Sequence, residues 1–395
     1  MAGNQAPSRA SRYDAIVVGA RCAGSPTAML LSRKGHRVLL VDRDAFPSDI
    51  FRAHVIRMPG VQALARWGLY EAVLATGCAP FSTYTFDFDD FPLTGCPPFP
   101  DGSPREVAPR RKILDAILVN AAVEAGAELR EQVAIDDLLW EDGRVVGVRG
   151  RSGGQAFEAR ASLVVGADGQ HSLVARKTGA AIRHSTLPLT FGYYTYWADV
   201  PATGLEVIQR MDAGRVIIVF PTNDNLTCVA VQGRSDDFPA FRADLEGEYL
   251  RAVNLADDVA ARVRAGRRAE RFQGTADLPN FIRAAAGPGW ALVGDAGYHR
   301  DPLLAHGISD AFHSAELLSE VIGDALAGEA SLDEALAAYD RLHAEAALAG
   351  FEETVQACAF RPFPPELLQQ RAAVRGDQAA TDRFYGELFG LTPPE

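Results

Sequence analysis

The chain has 395 residues, is 48% hydrophobic and 23% charged, and carries a formal net charge of -12. This is the composition of a globular protein with room for two domains, or for one large domain with an excursion. The acidic balance argues against a nucleic-acid or anionic-membrane partner, whose phosphates call for an excess of Lys and Arg. No stretch approaches the roughly 20 apolar residues of a membrane span.

In chain order, the N-terminal MAGNQAPSRASRY lacks the apolar core of a signal peptide, so a cytoplasmic location is expected. Residues 14–18 (DAIVV) read as a short strand ending in glycine. A helical pattern then runs through Ala28, Leu31 and Ser32 to a stop at Lys34-Gly35, and a second strand covers Arg37 to Val41. This strand-turn-helix-strand order has the spacing of a dinucleotide-binding unit. The turn, VVGARCAGSPTAMLL from Val17 to Leu31, keeps glycine at the first and third places of G-x-G-x-x-G (Gly19, Gly24) and has Arg21 at the middle place. Arg21 retains the backbone N–H that an anion needs, so the helix start can still hold a phosphate provided the side chain points away. Asp42, 23 residues after Gly19, stands where a carboxylate would bind a ribose 2′-hydroxyl.

Residues 76–109, rich in Pro, Phe and Asp, predict loops and an edge strand. A helix follows from Arg111 to Gly126, then short strands to Gly166 separated by turns at 141–143 and 152–154. Residues 186–235 are the most strand-like part and predict an antiparallel sheet in a separate layer. Helices are expected near 237–252 and 256–265, a strand near Phe272, a buried strand at Trp290–Val293 and a long helix from Gly307 to about Gly328. The Ser331-Leu-Asp-Glu334 capping box opens another helix.

Two later stretches, VVGADGQHSLVARKTGA (164–180) and LVGDAGYHRDPLLAHGISDAF (292–312), together with GARCAG and Arg111-x-x-Leu114-Asp115, resemble the fingerprints of the FAD-dependent aromatic hydroxylases, the p-hydroxybenzoate hydroxylase-like monooxygenases. The resemblance spans residues 13 to about 330. It implies an α/β fold: a Rossmann-like FAD-binding domain (1–75, 105–180 and 270–330), an inserted antiparallel-sheet substrate domain (76–104 and 181–269) and a C-terminal helical region (331–395). It also implies that Gly19, Arg21, Cys22, Ala23 and Gly24 surround the FAD pyrophosphate, with Asp42 on the adenosine ribose and Arg43 near the adenine. Arg111 would lie by the flavin and ribityl chain. Asp168 and Gly169, closed by Arg176, would contact the pyrophosphate region and serve NAD(P)H. Gly294-Asp295 would bind a ribityl hydroxyl, and Pro302 and Gly307 would shape the turn under the isoalloxazine. This chain departs from the pattern at Gly297-Tyr298, where the family usually has Ala-His, and at Ala305-His306-Gly307, where it has Gly-Gln-Gly.

The implied reaction is NAD(P)H-dependent hydroxylation of an aromatic or polyketide-like small molecule with O2, through a flavin C4a-hydroperoxide. A double-bond reductase of the geranylgeranyl reductase-like type is the alternative, because it shares the early and late motifs. Flavin halogenation is disfavoured: the Trp-x-Trp-x-Ile-Pro motif is absent and the catalytic lysine of that family has no evident counterpart. Candidate acid/base groups are His306, in the motif expected beside the flavin, His54, between Arg52 and Arg57, and His299. The strand Phe191–Val200 alternates between faces, so either Phe191, Tyr193, Thr195 and Trp197 or Gly192, Tyr194, Tyr196 and Ala198 could meet the cavity. Gly192 favours the second set, making Tyr194 and Tyr196 substrate candidates. The five scattered cysteines and the eight histidines show no metal-ligand spacing, so no metal is expected. Gly150-Arg-Ser152-Gly-Gly154 fits the nucleophile-elbow pattern but joins two strand-like segments, which predicts a hairpin. A monomer or homodimer is expected.

Overall fold

The structure, a computed structural model, describes residues 13–48, 54–100, 102–389 and 391. Most of the N-terminal stretch and Arg52 lie outside the described residues. The strand Tyr13–Val18 runs parallel to Val38–Val41 on one side and to Gln155–Gly166 on the other, and Glu128–Arg130 and Trp290–Leu292 extend the parallel sheet outward. Both faces of the inner strands are covered, which is why they read as unbroken apolar runs and not as alternating ones. The helices Gly24–Arg33, Arg111–Glu124 and Gly307–Ala327 pack on one face of this sheet.

The second sheet contains Thr190–Ala198, Thr227–Arg234, Arg215–Pro221 and Gly204–Arg210 as antiparallel neighbours, then Thr83–Phe88 and Pro92–Gly95. One pair departs from the antiparallel expectation: Gly204–Arg210 lies parallel to Thr83–Phe88. These two strands are separated in sequence by an excursion through the first sheet, so no tight hairpin imposes their direction. Gln273–Thr275 pairs with Thr190–Ala198, so the substrate layer reaches past residue 269, while Ile182–Thr186 joins a small third sheet with Asn280–Arg283 and Tyr298–His299.

The G-x-S-x-G stretch is a hairpin. Ser152 pairs with Gln155 across Gly153 and Gly154, both at positive φ. The helix Met58–Trp67 is absent from the sequence reading. Pro59 sits in the first turn, where it costs no hydrogen bond, and Gly60 lets the helix touch Ser309.

The helices Pro365–Val374 and Gln378–Leu388 close over the Thr83–Gly95 edge of the second sheet. Arg371, with 0% exposure, donates to Asp90 and to the carbonyls of Phe86 and Phe91, and its guanidinium lies 4.4 Å from the Phe88 ring centre. Burial, the largest single influence, raises the Asp90 carboxyl, but the hydrogen bond and charge of Arg371 together with the amides of Phe91 and Phe88 outweigh it and hold that group below its ordinary range.

Candidate active site

A cavity of about 780 Å³ lies between the two large sheets. Gly19, Asp168 and Asp295 all line it, so three remote pieces of chain meet at one site. At one end the strand Tyr13–Val18 turns into the helix Gly24–Arg33. Gly19 has φ +104, and a Cβ there would stand 2.5 Å from the Ala167 carbonyl oxygen. A Cβ on Gly24 would stand 1.7 Å from the Gly19 oxygen. The helix start has no side-chain cap and no acidic residue in its first turn; Ser25 N–H donates to the Arg21 carbonyl and Pro26 has no N–H, which leaves the Gly24 amide to meet an anion.

Asp42 is buried and accepts hydrogen bonds from the amides of Ala20 (2.7 Å) and Asp44 (2.9 Å). Burial raises its carboxyl, and those two amides oppose the shift. Asp168 caps the helix Leu173–Thr178 by accepting from Leu173 N at 2.6 Å and Val174 N at 3.2 Å, which fixes the Ala167–Gly169 turn against the cavity. The Asp295 carboxylate lines the cavity and has no hydrogen-bond partner among the described residues. The helix Gly307–Ala327 also begins without a side-chain cap, and a Cβ on Gly307 would meet nothing within 4 Å.

The other end is built by cross-strand register. Gly192 pairs with Gln232, Tyr194 with Ala230, and Tyr196 with Cys228; Ile218 and Phe220 continue the last two rows on the next strand. Side chains in one row share a face. Of the two alternatives left open by the sequence, the face with Gly192, Tyr194 and Tyr196 therefore turns to the cavity. The rings of Phe191 and Tyr193 pack against Phe238 and Phe241 on the opposite side. Tyr194 lines the cavity; Tyr196 stands behind it, hydrogen-bonded to Nε2 of His54, which does line it. The Tyr194 ring meets the His54 ring edge-on at 5.3 Å. Burial pushes the Tyr196 phenol far above its ordinary value, so it stays protonated.

Of the remaining expected cofactor residues, Arg21, Cys22, Ala23, Arg43, Arg111 and Pro302 line the cavity. Gly24 and Gly294 do not. Each instead permits a close backbone approach, Gly294 at φ +56 with a hypothetical Cβ only 2.7 Å from that of Ala23. The sequence makes phosphate binding conditional on the Arg21 side chain pointing away; Arg21 lines the cavity, with its guanidinium turned onto Asp44 and Asp115.

His306 also needs correction. Ala305 adopts a left-handed φ of +57 immediately before it, and Ala305 and Gly307 line the cavity while the His306 ring does not. Burial, with Arg300 and Arg57, pushes His306 down to about 3, which leaves it a weak base. Sequence reasoning missed Ile218, Phe220, Cys228, Ala230 and Gln232, whose alternation was visible but whose register was not. It also missed buried Asp301, which accepts from Thr190 and Gln232 of the second sheet and so ties that sheet to the 301–306 turn.

The FAD binding domain family model matches residues 12–350. The chain belongs to this family. The flavoprotein is 27% identical over 347 residues to the digeranylgeranylglycerophospholipid reductase of Methanocella arvoryzae, covering 84% of this chain and 82% of the relative. The myxobacterial chondrochloren halogenase superposes with a TM-score of 0.80 at 23% identity, covering 96% of this chain and 92% of the halogenase. A probable FAD-dependent monooxygenase from Pseudomonas aeruginosa, PqsL, superposes with a TM-score of 0.75 at 20% identity, covering 95% and 99%. The flavoprotein is thus an FAD-dependent oxidoreductase. The uncapped helix starts, the partnerless Asp295 and the open space before Gly307 fit the cofactor. Among the described residues no helix is long and apolar enough to cross a membrane, and no group of three His, Cys, Asp or Glu is placed to hold a metal.

Two predictions belong to this geometry. A Cβ on Gly192 would meet nothing within 4 Å, so Gly192→Leu places its side chain in the cavity without disturbing the sheet. The expected result is an unchanged thermal midpoint, retained FAD and loss of substrate-induced change in the flavin spectrum. The second concerns acid stability. His306 is held down to about 3, and burial holds His343 down to about 4. Both folded values lie below the unfolded one of about 6.5, so their contribution is complete above that pH and is lost as pH falls through about 6.5 toward the folded values. The thermal midpoint should drop between about pH 7 and pH 5, and His343→Leu should flatten that drop.

Proposed function

We propose that the protein is an NAD(P)H-dependent FAD monooxygenase that hydroxylates a neutral aromatic or polyketide-like molecule. The carrying observation is the face over the cavity, where Tyr194, Ile218, Phe220, Cys228 and Ala230 surround the uncharged polar side chains of Gln232 and Thr275 and the ring of His54. Three of the arginines lining the cavity are already matched, Arg111 and Arg21 by Asp115 and Asp44, and Arg300 by Asp310. A carboxylate on the substrate would have no free cation at this face, whereas a ring with a hydroxyl group finds apolar walls and a few hydrogen-bonding groups.

Bound FAD supplies the redox chemistry and the activation of O2. The Gly24 amide would hold its pyrophosphate, Asp42 and Asp295 would accept from ribose and ribityl hydroxyls, and the start of the Gly307 helix would favour negative charge on the reduced ring. The apolar face excludes water from the reacting centre. His54, oriented by Tyr196, takes up or returns the proton of the substrate hydroxyl.

The archaeal relative supports a second reading, reduction of an isolated double bond, since the same walls suit a prenyl chain. Halogenation gains less support. The tryptophans are dispersed, with Trp67, Trp197 and Trp290 in three different hydrophobic clusters and Trp140 at the surface, and no lysine lines the cavity. The test is the stoichiometry of NAD(P)H, O2 and product across neutral phenols, matched benzoates and prenyl alcohols. One NAD(P)H and one O2 consumed per hydroxylated product formed from a neutral phenol supports hydroxylation. Product formed without oxygen uptake would replace it with the reductase reading.

A further inference from the structure

The nucleotide loop keeps glycine where a side chain would collide with backbone, at positions 19 and 24, and carries Arg21 between them. The Arg21 guanidinium makes three connections. Nη1 donates to Asp115 Oδ2 at 2.9 Å, while Nη2 donates to Asp44 Oδ2 at 2.7 Å and to Ser48 Oγ at 2.9 Å. The Phe46 ring centre lies 5.2 Å from its central carbon. Asp115 is wholly buried on the Arg111–Glu124 helix, whereas Asp44, Phe46 and Ser48 belong to the segment leaving the strand Val38–Val41. Arg21, Arg43 and Asp44 line the same end of the cavity as Asp42.

We propose that Arg21 is a strap that retains the cofactor: its side chain ties the 44–48 segment to the Arg111–Glu124 helix across the nucleotide end of the cavity, so that FAD leaves only after these bonds open. The charge balance favours closure over direct attraction. Arg21 and Arg111 share Asp115, and Asp44 takes the second Arg21 nitrogen, so two cations meet two carboxylates and little charge is left over for the pyrophosphate. The phosphates are left to the uncapped amides of the loop and helix. An arginine suits this task because its planar fork reaches two carboxylates at once, which a lysine ammonium cannot do with the same geometry. The strap rests on FAD binding alone, whichever reaction the bound flavin performs.

The test is the FAD release rate from the holoprotein, followed by recovery of free-flavin fluorescence after dilution, for wild type, Arg21→Gly, Arg21→Lys, Asp44→Asn and the Arg21→Gly/Asp44→Asn double variant. Arg21→Gly restores the full glycine pattern yet is expected to release FAD about tenfold faster, the loss of partly buried charge-assisted bonds. Arg21→Lys and Asp44→Asn should also be faster than wild type. The double variant should be no faster than the faster single one, because both substitutions break the same connection. Release from Arg21→Gly at or below the wild-type rate would overturn the proposal, and so would a double variant whose acceleration is the product of the two singles. If Arg21→Gly does not fold, Asp44→Asn carries the decision alone, since the Asp44 side chain is 40% exposed and its loss spares the core. A wild-type release rate for that variant would equally overturn the strap.

Discussion

Gly24→Ala should yield a colourless protein that does not take up added FAD and is destabilised by about 3 kcal/mol or more. The new Cβ would stand 1.7 Å from the Gly19 carbonyl oxygen and 3.0 Å from the Ala167 Cβ. The first is backbone within a loop already fixed at φ +104, so no rotamer change can relieve the contact. The helix Gly24–Arg33 has to retreat from the strand, carrying its uncapped amides away from the cavity. Gly35→Ala is the matched control: nothing lies within 4 Å of its Cβ, and only the positive φ of +86 opposes it. That costs about 1 kcal/mol and leaves the flavin bound. Absorbance of the purified proteins and their thermal midpoints distinguish the two. Normal flavin content in Gly24→Ala would show that the close approach is not required.

The second large effect is expected at His54. With the imidazole held against Tyr196 and facing the cavity, His54→Asn should lower product formation by roughly 10²- to 10³-fold, the range of a lost acid/base group. FAD should be retained, because His54 is not among the residues proposed to hold it, Gly24, Asp42 and Asp295. Tyr196→Phe keeps the ring beneath Arg110, whose guanidinium lies 4.5 Å from its centre, and removes only the hydroxyl. It should reduce turnover by about tenfold with little change in KM, the pattern of an orientation defect. Full turnover by His54→Asn would assign the proton to another group.

These effects also mark how far the sequence could be read. Gly19 was legible because a nucleotide loop constrains residue type locally, through turn geometry and a helix start, and that constraint survives a changed neighbour such as Arg21; Asp168 and Asp295 came instead from the resemblance of their two stretches to the flavoprotein hydroxylases. Gly192 identified the cavity-facing side of its strand for a related reason: a small residue among aromatics leaves space. Contacts fixed only by register or distant pairing were illegible. Arg21 finds Asp115 across 94 positions, and Gln232 reaches the cavity because its strand aligns it with Gly192. His306 misled because a motif specifies that a turn is present, while the side chain's direction depends on the left-handed Ala305 just before it.

The buried Arg371 has a consequence for biogenesis. The Thr83–Gly95 edge emerges from the ribosome early, yet the cation that settles beneath it and the Tyr385 hydroxyl that bonds Phe86 and Leu93 are translated nearly three hundred residues later. Throughout that interval an aromatic-rich ledge of the nascent chain lacks its cover, and the edge is completed only when the last two helices arrive.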